Sequence, residues 1–318
     1  MKPIPFRCVL AGFLWITLCG LGGAPPLFAA FHRITLKAAR MPSGQLAYQM
    51  ERHLMEENGK TRDLTSLYAK GPTIPGPTLV LQEGDKAEVT LEHGIEGSHD
   101  PVSIHVHGVH YKFPSDGTTK MLNGVQDQVA YPGKPYTYEW DAALGTAGTW
   151  PYHDHAFGDP MVGAEDKGLF GTVIVNPKGN KIAALIDGQI TQVDLSQIKR
   201  EFIVWMHETT IWGQELNHIV HREVPLWTNP MFGAKLGDLV RFHVLGLGTA
   251  FHTFHLHGHR WLDPGTQAIV DTVVIGPVSR TSFVVKAGEG VGPGYWHYHC
   301  HVVQHMQSGM MGKFRVIP

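Results

Sequence analysis

Residues 295–312 read YWHYHCHVVQHMQSGMMG and place one cysteine among several histidines and methionines. If His299, Cys300 and His301 lie on a β-strand, the two histidines point to one face and the cysteine to the other, because successive side chains alternate. One metal ion cannot then bind all three. The segment therefore predicts two metal centres back to back, joined by the backbone on either side of Cys300.

His305 and Met310 follow Cys300 at loop spacing. A thiolate, an imidazole and a weak thioether form most of a blue-copper electron-transfer site, which lacks only a second histidine from elsewhere in the chain. The alternative for Cys300 is a small buried hydrophobic residue. Four potential ligands within about ten residues favour the metal site.

Length and composition predict a chain of two domains built from short strands. The sequence has 318 residues, of which 43% are hydrophobic, and a domain commonly takes about 150 residues. The 37 glycines and 21 prolines are scattered, as expected for strands joined by turns. A net charge of -2, with no basic run, argues against a nucleic-acid partner.

Residues 1–30 predict a secretory signal that is cut near Ala29 or Ala30 and exports the protein to the periplasm or beyond the cell. The alternative is an uncleaved membrane anchor, but the apolar part is shorter than the about 20 residues needed to span a membrane. We therefore expect no stable membrane insertion. Cys8 and Cys19 fall in this signal, so Cys300 is the only thiol of the predicted mature chain and no internal disulfide is expected.

Two halves of the chain repeat each other. HVHG at 105–108 recurs as HLHG at 255–258, and HDH at 153–155 recurs as HCH at 299–301. LFGTVIVNP, which ends the first half, resembles the terminal MMGKFRVIP. The repeat predicts duplicated β-domains. We place the first domain at 31–177, a linker and entry to the second domain at 178–200, and the second domain at 201–318.

The first half lacks part of the thiolate site. Asp154 stands where Cys300 stands in the second half, and Val102 stands where His252 stands. Only the second half can therefore hold a thiolate copper. The four HxH pairs supply eight imidazoles, which is too many for one tetrahedral zinc. Three coppers that share eight histidines would keep open coordination positions for dioxygen.

The motifs HxHG, HxH, HxxHxHGH and HCHxxxHxxxxM occur here in the order found in multicopper oxidases. Over about residues 76–316 the chain resembles the two-domain members of that family, the small laccases. The resemblance implies an all-β fold with two cupredoxin-like domains of Greek-key barrel or sandwich type. It implies a type 1 copper ligated by His252, Cys300, His305 and axial Met310, a type 2 copper ligated by His105 and His255, and a type 3 pair ligated by His107, His153, His155, His257, His299 and His301.

The same resemblance implies a laccase-like oxidase with four coppers per chain. One-electron oxidation of phenolic or similar small-molecule donors is coupled to four-electron reduction of dioxygen to water. Electrons enter at the type 1 site and cross from Cys300 through the backbone to His299 and His301. The family's two-domain chains form homotrimers with each cluster at a subunit joint, and closed ring symmetry makes three equivalent joints. The alternative is a cluster formed within one chain.

Three further residues are candidates for supplying protons or electrons to the cluster. Asp116 and Asp271 match acidic positions in small laccases, and Tyr111 follows the first HxHG motif as a possible redox-active phenol. The alternatives are turn-capping roles for the two aspartates and a packed strand position for the tyrosine.

Other functions remain open on the sequence. A metallo-oxidase of Cu(I) or Fe(II) is disfavoured because there is no methionine-rich insertion. Copper nitrite reductases share the fold, but that family carries its type 1 site in the first domain, where Asp154 stands. A non-enzymatic copper-binding protein on a degenerate oxidase fold is disfavoured by the full ligand sets.

Overall fold

The structure is a computed structural model that describes residues 29–118, 128–158, 163–216, 220–221 and 229–318. The predicted signal therefore lies outside the described residues except for Ala29 and Ala30, and so do Cys8 and Cys19. Within the described ranges the chain is built of strands, and the one α-helix is the five-residue α1 (Val303–Gln307). The all-β prediction is confirmed. In the part of the chain that the structure describes, no helix has the length and apolarity to cross a membrane.

The first half of the chain forms two β-sheets around one hydrophobic core. Its described strands are β1 (Phe31–Arg40), β2 (Leu46–Glu57), β3 (Lys60–Asp63), β4 (Leu79–Gln82), β5 (Lys86–Gly94), β6 (His105–Val106), β7 (Tyr136–Asp141), β8 (Gly148–His153) and β9 (Phe170–Asn176). The sheets have the orders β3-β2-β1-β5-β7 and β4-β9-β8-β6. Alternation along β1 buries Ile34, Leu36 and Ala38 in this core.

Residues 178–200, interpreted above as a linker and domain entry, contain regular structure. An antiparallel hairpin of β10 (Lys181–Ile186) and β11 (Gln189–Asp194) occupies most of the segment. Its inward residues Ala184 and Val193 pack with Val284 of the second half. The segment is therefore packed against the second half. Its polar composition did not predict this, because every second residue of a two-stranded hairpin can face solvent and be polar.

The second half repeats the two-sheet arrangement. Its described strands are β12 (Ile198–His207), β13 (Thr210–Glu215), β14 (Val220–His221), β15 (Met231–Lys235), β16 (Leu239–Leu247), β17 (His252–Leu256), β18 (Trp261–Leu262), β19 (Ile269–Val270), β20 (Thr272–Ile275), β21 (Arg280–Lys286), β22 (Gly294–Cys300) and β23 (Met311–Ile317). Its large sheets have the orders β14-β13-β12-β16-β21 and β15-β23-β22-β17-β20.

Strand pairing confirms that the halves are structural repeats. β1 pairs in parallel with β5, as β12 does with β16. β4 pairs in parallel with β9, as β15 does with β23. The strands that end in the HDH and HCH motifs, β8 and β22, each pair antiparallel with the next long strand, β9 or β23.

The two halves also pack directly on each other. A third hydrophobic cluster draws on both and contains Met41, Ala47, Ile74, Phe170, Ile203, Trp205, Trp212, Leu245 and Leu247. Buried polar contacts cross the same junction. The Trp205 indole donates to the Thr172 hydroxyl over 3.0 Å, and Thr149 Oγ1 lies 2.5 Å from His243 Nδ1. The junction is packed and hydrogen-bonded, which fixes the relative position of the two domains within one chain.

Candidate metal centres

Two imidazoles converge on the buried thiol of the second domain. Cys300 Sγ, at the end of β22, lies 3.8 Å from His252 Nδ1 and 3.6 Å from His305 Nδ1. Their ligand atoms all lie within 4.8 Å of one another. Met310 is fully buried next to them, and its carbonyl accepts a hydrogen bond from the Cys300 amide over 3.0 Å.

This donor set fits copper. One sulfur and two imidazole nitrogens, with a thioether residue beside them, form the combination used in blue-copper electron-transfer sites. Burial, with repulsion from His305, lowers the pKa of His252 to about 4, so its ring is neutral at pH 7 and keeps a lone pair for a metal. The arrangement can hold one copper that accepts a single electron.

Four imidazoles of the first domain form a compact group, here called the first quartet: His105, His107, His153 and His155. Neighbouring ring centroids are 4.6 to 5.7 Å apart. His107 Nε2 and His153 Nε2 approach to 3.2 Å. Nitrogens that share one metal ion, each at about 2 Å from it, lie at about this separation.

The second domain contains the matching second quartet: His255, His257, His299 and His301. Neighbouring ring centroids are 5.0 to 5.6 Å apart. His257 Nε2 and His299 Nε2 approach to 3.1 Å, which repeats the contact in the first quartet. The ligand nitrogens of His255, His257 and His299 all lie within 4.8 Å of one another.

Hydrogen bonds at the rear of the rings set the tautomers. His105 Nδ1 donates to the Asp116 carbonyl over 2.7 Å, and His255 Nδ1 donates to the Asp271 carbonyl over 2.8 Å. Because a carbonyl oxygen can only accept, Nδ1 carries the proton and Nε2 keeps its lone pair for a metal. His155 Nδ1 is buried without a hydrogen-bond partner among the described residues.

Burial also keeps most of these rings neutral. It lowers the pKa of His107 and His153 to about 3 and that of His155 to about 4, with repulsion from neighbouring histidines adding to the shift. The pKa values of His257 and His299 are lowered for the same reasons. Neutral imidazole is the form that binds a metal ion.

Strand alternation separates the thiol from the second quartet. On β22, Tyr298 and Cys300 point into the core of the second domain, whereas His299 lies among the quartet rings on the other face. His301, one residue beyond the strand, joins His299 with ring centroids 5.3 Å apart. The structure thus brings together two separate groups of candidate ligands on either side of the Cys300 backbone.

The three candidate proton and electron suppliers lie beside the quartets. Asp116 Oδ1 is 3.8 Å from His105 Nδ1, and Asp271 Oδ1 is 3.9 Å from His255 Nδ1. The Tyr111 hydroxyl donates to Asp116 Oδ1 over 3.1 Å. Burial and the Asp116 charge raise the pKa of Tyr111 to about 12, so its phenol keeps its proton. Both aspartates also orient a histidine through their carbonyl groups, which no sequence pattern indicated.

Sequence reasoning missed Glu165. Its Oε2 lies 2.6 Å from His153 Nδ1, and burial raises the pKa of its carboxyl to about 7. Glu165 belongs to a 3₁₀ turn, Glu165–Lys167, between the HDH motif and β9. It has no fixed spacing from a recognisable motif, so only the path of the chain could reveal it.

The two quartets do not meet within one chain. All eight rings are described, and no ring of one quartet is in contact with a ring of the other in the described structure. The sheet face that bears the second quartet exposes large apolar side chains. Val274, Tyr295 and Met311 on this face are 65%, 58% and 41% exposed.

Comparison with known proteins points to one family. Residues 55–180 and 206–318 match two family models that are both described as multicopper oxidase. A probable nitrite reductase-hydroxylamine oxidoreductase fusion protein of Kuenenia stuttgartiensis is 34% identical over 254 residues, covering 77% of this chain and 28% of that protein. Ferroxidase HEPHL1 of Mus musculus is 26% identical, covering 76% of this chain and 23% of that protein. The chain thus spans about a quarter of the length of these relatives.

A solved structure shares the fold. The crystal structure of a multicopper oxidase superimposes with a TM-score of 0.61 at 23% identity, covering 90% of this chain and 89% of that one. The match extends over both β-domains.

Proposed function

Because this chain belongs to the multicopper oxidase family and folds into two cupredoxin-like domains, we propose that it is a laccase-like oxidase. It takes single electrons from phenolic or similar donors and passes four of them to dioxygen, with four protons, to form two waters. We propose four coppers per chain, at the type 1, type 2 and type 3 ligands that the resemblance to small laccases implies, and export of the mature protein from the cytoplasm.

The principal support is the position of Cys300. Its sulfur faces His252 and His305, while its neighbours His299 and His301 belong to the second quartet. Copper in these sites would supply one-electron redox chemistry and, at the quartets, dioxygen activation. The backbone on either side of Cys300 offers a short covalent route between the two groups of ligands. A simple electron carrier would not need eight further imidazoles.

The chain's own groups would serve proton supply. Asp116 and Asp271 lie on the outer side of the two HxHG histidines, with Tyr111 bonded to Asp116. We propose that the two carboxylates pass protons toward the quartets and that the Tyr111 phenol donates an electron or a proton when reduction stalls. Their carbonyl groups meanwhile hold His105 and His255 in the metal-binding tautomer.

We further propose a homotrimer in which each cluster combines the first quartet of one subunit with the second quartet of the next. The separation of the quartets within one chain favours this arrangement. So do the exposed side chains of Val274, Tyr295 and Met311 on the face around the second quartet, since exposed apolar groups of this size commonly mark interaction sites. A head-to-tail contact of this kind closes into a ring when the rotation permits.

The relatives make two other activities worth testing. Similarity to a ferroxidase supports oxidation of Fe(II) or Cu(I) as a second candidate. Similarity to a nitrite reductase fusion protein supports nitrite reduction. The first domain argues against nitrite reduction. At the position equivalent to the proposed copper-binding thiol it has Asp154, whose carboxylate accepts hydrogen bonds from four backbone amides.

An oxygen-uptake assay separates these functions. We expect the copper-loaded protein to consume one dioxygen per four molecules of a dimethoxyphenol oxidised, faster than with Fe(II) or Cu(I). Faster turnover of Fe(II) or Cu(I) would favour the metallo-oxidase. Nitrite reduction under argon, without phenol-dependent oxygen uptake, would overturn the oxidase assignment.

A further inference from the structure

A carboxylate contacts the rear of one quartet histidine and has no equivalent among the described residues of the other domain. Glu165 Oε2 lies 2.6 Å from His153 Nδ1, and the two side chains are only 17% and 4% exposed. The equivalent histidine of the second domain, His299, instead directs Nδ1 to the Cys300 carbonyl over 3.0 Å. In the first domain the matching carbonyl, that of Asp154, lies 3.3 Å from His153 Nδ1, so Glu165 is the closer acceptor.

The geometry at the front of the ring fixes the direction of this hydrogen bond. His153 Nε2 approaches His107 Nε2 to 3.2 Å, where both nitrogens can share one metal ion. A nitrogen that binds a metal cannot carry a proton, so the ring proton must be on Nδ1. Nδ1 therefore donates and Glu165 accepts, which makes a carboxylate–histidine pair of the kind that supports metal ligands in many sites.

The turn that carries Glu165 is built into the fold. It lies between β8 and β9. The equivalent connection of the second domain, between β22 and β23, contains α1 and His305, whose ring faces the Cys300 thiol. Asp154 Oδ2 accepts hydrogen bonds from Phe157 and from Ala164, the residue before Glu165, over 2.8 and 2.9 Å. The equivalent loop of the second domain carries a candidate copper ligand. The loop of the first domain is instead anchored by the buried Asp154 carboxylate and places Glu165 against the first quartet.

From these contacts we propose that Glu165 is a positioning residue for a copper bound through His153, and that it makes the copper site of His107 and His153 tighter than the site of His257 and His299. The inference rests on the proposed oxidase function. A charge-assisted hydrogen bond holds the ring in one tautomer and makes Nε2 a stronger donor. A backbone carbonyl, as at His299, is the weaker partner.

Copper retention tests this role. Wild type, Glu165→Ala, Glu165→Gln and the control Asp166→Asn are loaded with copper and dialysed against graded concentrations of a competing chelator. Copper per chain is measured by atomic absorption, with the visible band of the Cys300 site recorded in parallel. Asp166 is a matched control because it lies in the same turn, is also an acidic residue and bonds a different histidine, His207, over 2.9 Å.

We expect Glu165→Ala to release about one copper per chain at a chelator strength 10- to 100-fold lower than wild type, the usual effect of losing such a partner. The Cys300 band should not change. Glu165→Gln keeps an acceptor oxygen but not the charge and should recover part of the retention, and Asp166→Asn should match wild type. Equal retention in wild type and Glu165→Ala, or no recovery in Glu165→Gln, would overturn the proposal. If Glu165→Ala fails to fold, Glu165→Gln retaining copper as tightly as Asp166→Asn would overturn it.

A metal-free measurement separates this inference from the oxidase itself. In copper-free protein with ¹⁵N-labelled histidine, we expect His153 in the Nδ1–H tautomer in wild type and in a tautomer mixture in Glu165→Ala. The same mixture in wild type would refute the role of Glu165. A wild-type protein that has this tautomer but retains only the Cys300 copper would refute the oxidase and not the contact.

Discussion

Cys300 and Asp154 occupy equivalent positions at the ends of β22 and β8, yet their side chains make different contacts. The Cys300 amide donates to the Met310 carbonyl, and the Asp154 amide donates to the Leu169 carbonyl, both over 3.0 Å. The thiol faces two imidazoles. The carboxylate of Asp154, fully buried, instead accepts four backbone amides. At this residue the first domain has a hydrogen-bonded carboxylate where the second domain has the thiol of a candidate metal site.

Replacing the thiol should remove one copper site and leave the others. We expect Cys300→Ser to lose the blue sulfur-to-copper absorption and the oxidase activity, because a hydroxyl is a poor ligand for that site. Copper analysis should show a loss of about one ion per chain, and far-UV circular dichroism should match wild type. A blue band that persists in Cys300→Ser would contradict the type 1 assignment.

Removing the Asp154 carboxylate should destabilise the first domain. Asp154→Ala leaves four amides without their acceptor in a buried site, and each unsatisfied group costs about 1–3 kcal/mol. We expect a loss of at least about 3 kcal/mol in the free energy of unfolding, measured by urea titration of copper-free protein. Asp154→Asn, which keeps an acceptor oxygen, should lose less. A loss below about 1 kcal/mol for Asp154→Ala would show that the loop does not depend on this carboxylate.

At the scale of elements, the two HxHG segments end their strands in the same way. Gly108 and Gly258 have positive φ angles of 76° and 70°. A Cβ at Gly108 would lie 1.8 Å from the Trp150 ring, and one at Gly258 would lie 2.8 Å from the Trp296 ring. Each glycine therefore lets a tryptophan pack directly on the backbone that presents the quartet histidines.

Gly108→Ala should disrupt this packing. The added methyl group must displace Trp150, whose ring also lies 3.4 Å below the Arg280 guanidinium at the junction of the two domains. We expect a loss of about 2 kcal/mol or more in unfolding free energy, from backbone strain and the clash together. Gly44→Ala is the matched control, since Gly44 has φ +89° but open space around it. Equal losses in the two variants would show that the tryptophan contact is unimportant.

At the scale of the whole molecule, a buried histidine joins the two domains. His243 Nδ1 contacts Thr149 of the first domain, and His243 Nε2 lies 2.9 Å from Glu201. Burial, with repulsion from Arg241, lowers the pKa of His243 to about 4. The folded protein thus keeps this ring neutral at pH values where the unfolded chain, with a pKa near 6.5, already binds a proton.

The junction should therefore weaken in acid. Between pH 6.5 and about 4 the unfolded state binds a proton on His243 that the folded state does not. The stability that neutral His243 contributes is therefore complete above this window and is lost as the pH falls through it. The contribution of His243 amounts to about 3 kcal/mol. Urea titrations of copper-free protein across this range should show a shallower pH dependence for His243→Gln than for wild type. If the unfolding free energies of the two proteins fell in parallel with pH, His243 would not be the group that weakens the junction in acid.

Assembly is the other property of the whole molecule that can be tested. Light scattering should give three chains per particle for wild type, whereas Val274→Glu places a charge on the face of the second quartet and should give monomers. The monomer should keep the Cys300 copper and lose the quartet coppers. Ile190→Glu is the control, because Ile190 is 59% exposed on the hairpin away from that face. A trimeric Val274→Glu protein would rule out this face as the subunit joint.

The sequence alone determined the all-β class, the duplication and the separation of Cys300 from His299 and His301. These follow from local rules: side chains alternate along a strand, and repeated motifs imply repeated folds. Glu165 and the docked hairpin β10–β11 could not be predicted in this way. Their roles depend on contacts between residues whose spacing follows no period.

Only the tertiary structure decided how the Cys300 site and the quartets are supported. Chain folding places the Asp116 and Asp271 carbonyls behind two histidines and the Glu165 carboxylate behind a third. It also leaves the two quartets apart within one chain. The motifs predict which residues are ligands because metals select donor atoms. The hydrogen bonds that orient those donors arise only when distant segments pack together.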